Sequence, residues 1–280
     1  MKDFLRQQVD QKKDAFQKVN LIREYLQSRM LQSLQEQGAF LNWAFLGGTA
    51  LRFLYGLPRY SEDLDFSLMD PLKSCDFEKI LRKMKTVFEH DNYTVIVKAA
   101  REKNVRSAFV KFPSLLFELG ASSDESEALS IKVEVDTRPP SGAKTMTTLC
   151  RRFVTINVNH YDKASLLAGK LHAILSRPYT KGRDLYDLVW YLSDPTWPAP
   201  NLELLNAALV QTGWTGGTLN VGNWREVLAH RLGELQWDRA RADLMPFLER
   251  QEDLAWVAKE PCLRLIRESA GAVNRGWVIL

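Results

Sequence analysis

Two aspartates separated by a single leucine, Asp63-Leu64-Asp65, are the residues in this chain whose spacing most directly suggests chemistry. On an extended strand, residues i and i+2 share a face. Both carboxylates therefore point the same way, while Leu64 and Phe66 turn into the core. Like charges side by side disfavour a strand, and a divalent cation, Mg²⁺ or Mn²⁺, is the natural compensation. Mg²⁺ prefers oxygen ligands and usually takes one or two carboxylates together with substrate phosphates and water. Upstream lies Gly47-Gly48-Thr49, following an apolar run and opening a short helix. Two glycines let the backbone turn tightly and approach a ligand closely. The free N–H groups and dipole of the helix then favour an anion, and Thr49 adds a hydroxyl. Glycine turn and acidic pair together suit a nucleoside triphosphate bound with its metal.

Two further groups follow. In Lys132-Val133-Glu134-Val135-Asp136 the apolar residues Ile131, Val133 and Val135 alternate with three charged ones, so Lys132, Glu134 and Asp136 share one strand face. A third carboxylate on a neighbouring strand completes a two-metal clamp in phosphoryl chemistry; Glu134 and Asp136 both qualify, and the choice stays open. Farther on, Lys170 sits at the polar edge of a helix whose apolar stripe is Leu166, Leu167, Leu171, Ile174 and Leu175. The basic loop Arg177, Lys181, Arg183 leads into a second helix with Asp184 and Asp187 at i and i+3, able to face one groove. Acids early in a helix also complement its dipole, the plainer explanation of the pair.

The elements that must hold these residues are legible from periodicity. A helical stripe through Phe16, Val19, Ile22, Leu26, Met30 and Leu34 predicts a helix from Lys2 to about Gln37, stopped by Gly38. A short helix is expected over Ala50–Tyr55 and another over Phe77–His90. Strands are expected over Asp63–Leu68, Tyr93–Ala99, Val105–Phe112, Ser130–Val135 and Phe153–Val158. From Tyr161 the pattern becomes helical: Asp162–Ser176, Arg183–Leu192, Leu202–Val210, Trp224–Leu235, Asp238–Ala258 and Leu263–Val273, with a final apolar Trp277-Val278-Ile279-Leu280. These elements predict an α+β, mixed-sheet domain over residues 1–158 and an all-helical domain over 159–280 that completes the active-site groove. The tryptophans of the helical part read as packing residues, and His172 as structural. Three scattered cysteines and four separated histidines give neither a disulfide framework nor a zinc spacing. The sequence also shows no signal segment and no membrane span, so a cytoplasmic protein is expected. A net charge of +4 adds little by itself.

The run Phe45-Leu46-Gly47-Gly48-Thr49-Ala50-Leu51-Arg52 followed by Arg59-Tyr60-Ser61-Glu62-Asp63-Leu64-Asp65-Phe66 resembles the signature of the AbiEii/AbiGii family of nucleotidyltransferase toxins. Thr49 stands where the wider superfamily has serine, and Arg59 and Ser61 also match this branch. The Lys170 helix and the Arg183-Asp184-Leu185-Tyr186-Asp187 helix resemble the family's later motifs, so the likeness runs over about residues 45 to 192. The resemblance implies a polymerase-β-like nucleotidyltransferase domain. Its Asp63 and Asp65 would bind metal with Glu134, the better family match, or Asp136. Gly47, Gly48, Thr49, Arg59, Ser61, Lys170 and Arg183 would handle the nucleotide. Asp184 would act as base or orient Lys170, and Asp187 would brace the loop. It further implies transfer of a nucleoside monophosphate from an NTP to a hydroxyl, with a tRNA 3′ end as acceptor, blocked translation as outcome and a cognate antitoxin as partner. Two alternatives share the pocket: a kinase-like toxin transferring the terminal phosphoryl group, and an inactive nucleotide- or RNA-binding regulator.

Overall fold

The computed structural model describes residues 2–70, 72, 73, 75–101 and 104–268. The chain divides into two units. The first comprises Met1–Tyr55, Ser61–Pro139 and Thr145–His160; the second comprises Gly56–Tyr60, Pro140–Lys144 and the chain from Tyr161 onward.

In the first unit the expected N-terminal helix is two helices, α1 (Lys2–Asp10) and α2 (Ala15–Glu36). Asp14 divides them, because its side chain caps α2 by accepting from the Gln17 N–H at 2.7 Å. Gly38, at φ 75°, follows in the left-handed region and turns the chain toward β1 (Trp43–Leu46). Next come α3 (Gly47–Tyr55), β2 (Leu64–Leu68), α4 (Phe77–His90), β3 (Ile96–Arg101), β4 (Val105–Phe112) and α5 (Leu115–Glu118). Then follow β5 (Leu129–Asp136), β6 (Thr145–Arg151) and β7 (Thr155–Tyr161). The seven strands form one mixed sheet in the order β3-β4-β5-β2-β1-β7-β6. β2 lies within it, antiparallel to β1 and parallel to β5. Leu64 and Phe66 on β2 and Ile131, Val133 and Val135 on β5 are buried, so the polar residues between them are left on the other face. Strand β6 was not anticipated from the sequence: Thr-Met-Thr-Thr-Leu-Cys-Arg has little apolar alternation, and only Cys150 in it is buried. An edge strand needs no more than that.

The second unit is helical: α6 (Lys163–Ser176), α7 (Gly182–Leu192), α8 (Leu202–Gln211), α9 (Trp224–Gly233), α10 (Trp237–Leu244) and α11 (Lys259–Glu268). Asp162 caps α6 through the Ser165 N–H at 2.7 Å, and Asn201 caps α8 through the Leu204 N–H at 3.1 Å. The long helix expected over Asp238–Ala258 is broken. Helix α10 stops at Leu244 and gives way to short 3₁₀ turns at Met245–Phe247 and Gln251–Trp256. Pro246, with no N–H to donate and a ring that clashes with the preceding turn, is the reason. The expected helix beyond Glu268 and the final Trp-Val-Ile-Leu lie outside the described residues. Several tryptophans pack as anticipated. Trp224 is buried, Trp190 meets Trp197 edge to face at 4.8 Å, and Trp256 stacks on Tyr186 at 6.1 Å.

Helix α7 carries Asp184 and Asp187, and its N-terminus is seated by Gly182. The Gly182 N–H donates to Asp243 Oδ2 at 2.9 Å, and a Cβ on Gly182 would come within 1.8 Å of the Ala240 carbonyl oxygen on α10. Gly182→Ala should therefore destabilise the protein by about 3 kcal/mol, the upper end for an overpacked site. Urea unfolding followed by circular dichroism measures it; a loss below about 1 kcal/mol would show that α7 and α10 are not held this closely.

Candidate active site

The acidic face is built by strand register. Asp63 immediately precedes β2, and Asp65 lies on it; both are half-buried, with Leu64 between them fully buried. On the parallel neighbour β5, Glu134 is level with Asp65, and Asp136 is level with Ser67. Paired residues on adjacent strands share a face, so Glu134 stands beside Asp65, while Asp136 is one side-chain step farther along. Asp136 Oδ1 accepts from the Arg138 N–H at 2.8 Å, and burial raises its carboxyl above the ordinary value. Among the described residues no three acids converge as a metal cage. Glu134 instead pairs with Lys132 Nζ at 2.8 Å. That hydrogen bond, with the fields of Asp63 and Asp65, holds Lys132 above the usual lysine value despite partial burial.

The glycine turn proves to be the first turn of α3 rather than a loop before it. Gly47 has φ 83°, and a Cβ there would sit 2.5 Å from Asp65 Oδ2. The Asp65 carboxylate thus lies against the N-terminus of a helix, where the dipole favours negative charge. Thr49 is fully buried, and its hydroxyl bonds to the Asp63 carbonyl and, at 2.8 Å, to the Ser61 hydroxyl. Thr49 and Ser61 therefore shape the strand entry from beneath. Gln27, fully buried on α2, donates to the Ser61 and Glu62 carbonyls at 3.0 Å each. Beside it, Glu24 pairs with Arg52 of α3 and, at 3.1 Å, with Arg152. Sequence reasoning missed Gln27 and Glu24. Apolar residues run almost all round α2, with Leu21, Tyr25 and Leu31 outside the main stripe, so its polar residues had to be buried too, and that is their one signal.

In the second unit one aspartate collects two cations. Arg59 grips Asp187 with both ends of its guanidinium, Nε to Oδ1 and Nη2 to Oδ2 at 2.6 Å each, and both residues are buried. Lys170 Nζ lies 2.7 Å from Asp187 Oδ2 and 3.1 Å from Asp184 Oδ1. Arg177 pairs with the other oxygen of Asp184. Burial alone would push Lys170 down, but Asp187 and Asp184 overcome it and hold the ammonium above its ordinary value. Burial would likewise raise Asp187, yet Arg59 and Lys170 hold it below the usual carboxylate range. Arg183 lies with its guanidinium 4.0 Å from the Phe247 ring centre. His172 contacts Thr212 Oγ1 at 3.0 Å, and burial lowers its pKa. Tyr186, on the same helix, donates to buried Asp253 at 2.9 Å.

The fold of this chain, with its seven-stranded mixed sheet, is similar to that of solved nucleotidyltransferases. MenT4, a nucleotidyltransferase toxin from Mycobacterium tuberculosis H37Rv, superposes with a TM-score of 0.57 at 17% identity, covering 99% of both chains. A candidate nucleotidyltransferase from H. pylori superposes with a TM-score of 0.54 at 19% identity, covering 91% of this chain and 98% of its own. At such identities the likeness shows the fold. The chain itself belongs to the AbiEii family, described as the nucleotidyl transferase AbiEii toxin of a type IV toxin–antitoxin system, which it matches over residues 29–260. No curated protein sequence matches it.

Gly47 and Asp187 make the two supports testable. Gly47→Ala combines a left-handed φ with a collision against Asp65, whereas Gly120→Ala, at φ 64° with open space around it, carries only the backbone penalty. Urea unfolding should show about 1–2 kcal/mol lost in Gly120→Ala and clearly more in Gly47→Ala; equal losses would refute the close approach. Asp187→Asn leaves two buried cations short of a partner and should destabilise by about 3–5 kcal/mol at neutral pH. Because the folded-state pKa of Asp187 is depressed, its contribution is complete above the ordinary carboxylate value of about 4. It is lost as pH falls through the lower folded value. Stability measured from about pH 6 to about pH 2 should therefore fall less steeply in Asp187→Asn than in the wild type.

Proposed function

We propose that this nucleotidyltransferase-family protein transfers a nucleoside monophosphate from an NTP to a hydroxyl of an RNA acceptor, releasing pyrophosphate. The observation that carries the reading is the register of Asp65 with Glu134, beside Asp63 and against the N-terminus of α3. That donor set is all carboxylate oxygen, which fits Mg²⁺ or Mn²⁺ held together with substrate phosphates. Asp63 and Asp65 would hold the ion, with Glu134 favoured over Asp136 as the third ligand because it is level with Asp65. When bound, the metal supplies polarisation at phosphorus and eases loss of the acceptor proton. The backbone of Gly47 and Gly48 is assigned to phosphate oxygens, since Thr49 is buried and hydrogen-bonded inward.

Lys170 is the cation we assign to the triphosphate. Its two aspartates keep it charged and fix its position on α6. Asp184 has one oxygen on Lys170 and the other on Arg177, which supports an orienting role over that of a general base. Arg59 and Asp187 act as braces, and the basic residues Arg177, Lys181 and Arg183 are assigned to acceptor phosphates. A tRNA 3′ end as acceptor, arrest of translation in the cytoplasm and a cognate antitoxin are the biological setting that membership of a type IV toxin–antitoxin family supports. Among the described residues no helix is long and apolar enough to cross a membrane.

Purified protein incubated with Mg²⁺, total tRNA and each α-³²P-labelled NTP in turn should label RNA with at least one nucleotide. Asp63→Ala should reduce that label to background. If α-label never enters RNA but γ-label enters RNA or protein, the reaction is phosphoryl transfer and the nucleotidyl reading is wrong. Label equal in Asp63→Ala and wild type would remove the acidic face from the chemistry.

A further inference from the structure

We propose that Lys132 is a resident counter-cation of the Asp63–Asp65–Glu134 face, which a divalent metal must displace before the site can work. The inference rests on the metal assignment above and adds a competitor to it. Three carboxylates on adjacent strand positions repel one another, and without a metal the fold must balance them from its own residues. Lys132 is so placed. It shares the β5 face with Glu134, pairs with it at 2.8 Å, and feels the charges of both Asp63 and Asp65. Its register partner on β4 is Phe109, and the ammonium lies 5.8 Å from that ring centre, within range of a cation–π contact. The ring offers the ammonium a second resting contact on its flexible four-carbon stem, so it can leave Glu134 without being abandoned to solvent.

The physical consequence is gating by charge. A bare divalent ion must remove Lys132 from Glu134 and then tolerate an ammonium nearby. An ion arriving with a triphosphate brings the negative charge that gives the displaced ammonium a new partner. Lys132 is thus a positioning residue that makes the site resist free metal and accept metal–nucleotide.

The test uses the full-length protein and Mn²⁺ alone, with binding read from the electron paramagnetic resonance of free Mn²⁺. Lys132→Met should bind Mn²⁺ at least about tenfold more tightly than wild type, as expected for removing a like charge near the ion. Lys132→Arg should remain close to wild type. Equal or weaker binding by Lys132→Met overturns the proposal. Asp65→Asn separates the two levels of the argument. If it loses Mn²⁺ binding while Lys132→Met matches wild type, only the role of Lys132 fails. If neither wild type nor Lys132→Met binds Mn²⁺, this inference and the metal assignment fall together. A measurement needing no variant guards against misfolding: acylation of wild-type lysines, mapped by peptide mass spectrometry, should increase at Lys132 when Mn²⁺ is added. Unchanged acylation there, at Mn²⁺ concentrations that saturate the protein, also overturns the proposal.

Discussion

Asp187 is the residue on which the helical unit depends. A buried carboxylate is expensive to keep ionised, and it stays ionised here because it is shared. Arg59 closes both of its oxygens in a planar fork, and Lys170 adds a third contact. Three parts of the chain meet through this one group: the Gly56–Tyr60 segment carrying Arg59, helix α6 carrying Lys170, and helix α7 itself. The same segment is fastened again where the Tyr60 N–H donates to the Phe247 carbonyl at 2.8 Å. Lys170 is therefore held charged and in place by residues that need never touch a substrate. The order of lysine, then two acids three apart, reflects this shared burial.

The sheet unit faces the opposite electrostatic problem. There the charges gathered on neighbouring positions are negative, Asp63, Asp65 and Glu134, and a helix N-terminus, Lys132 and Arg23 act on them. The helical cluster is dense and internally matched, so its charges are fixed at folding. The acidic face is half-exposed, so its balance can change with what binds. Permanent neutralisation suits a support, and provisional neutralisation suits a reaction centre.

Much of this was readable from residue order. Alternation around Asp63–Asp65 and Lys132–Asp136 located both strands and their polar face, because period-two patterning survives wherever one side is buried. Helix α4 was bounded correctly, since five buried apolar residues recur along it at helical spacing. What stayed hidden depended on partners distant in the chain. The alternation treats Glu134 and Asp136 alike; that Glu134 is the one level with Asp65 depends on the pairing of β5 with β2. The fork that Arg59 makes was invisible because its partner lies 128 residues away on α7. Thr49 looked like a free hydroxyl until Ser61 and the Asp63 carbonyl closed over it. Strand β6 carried too little apolar signal to be seen, and Pro246 divided a stretch whose charge and apolar spacing still read as one helix.

The division of the chain has a consequence for its handling. Residues 56–60 and 140–144 leave the sheet unit, join the helical one and return. A single cut near residue 160 would therefore not yield two self-sufficient pieces. The amino-terminal fragment would carry Arg59 away from Asp187, and the carboxy-terminal fragment would keep a buried acid without its fork. A unit whose chain is discontinuous in this way is a poor candidate for exchange by simple gene fusion.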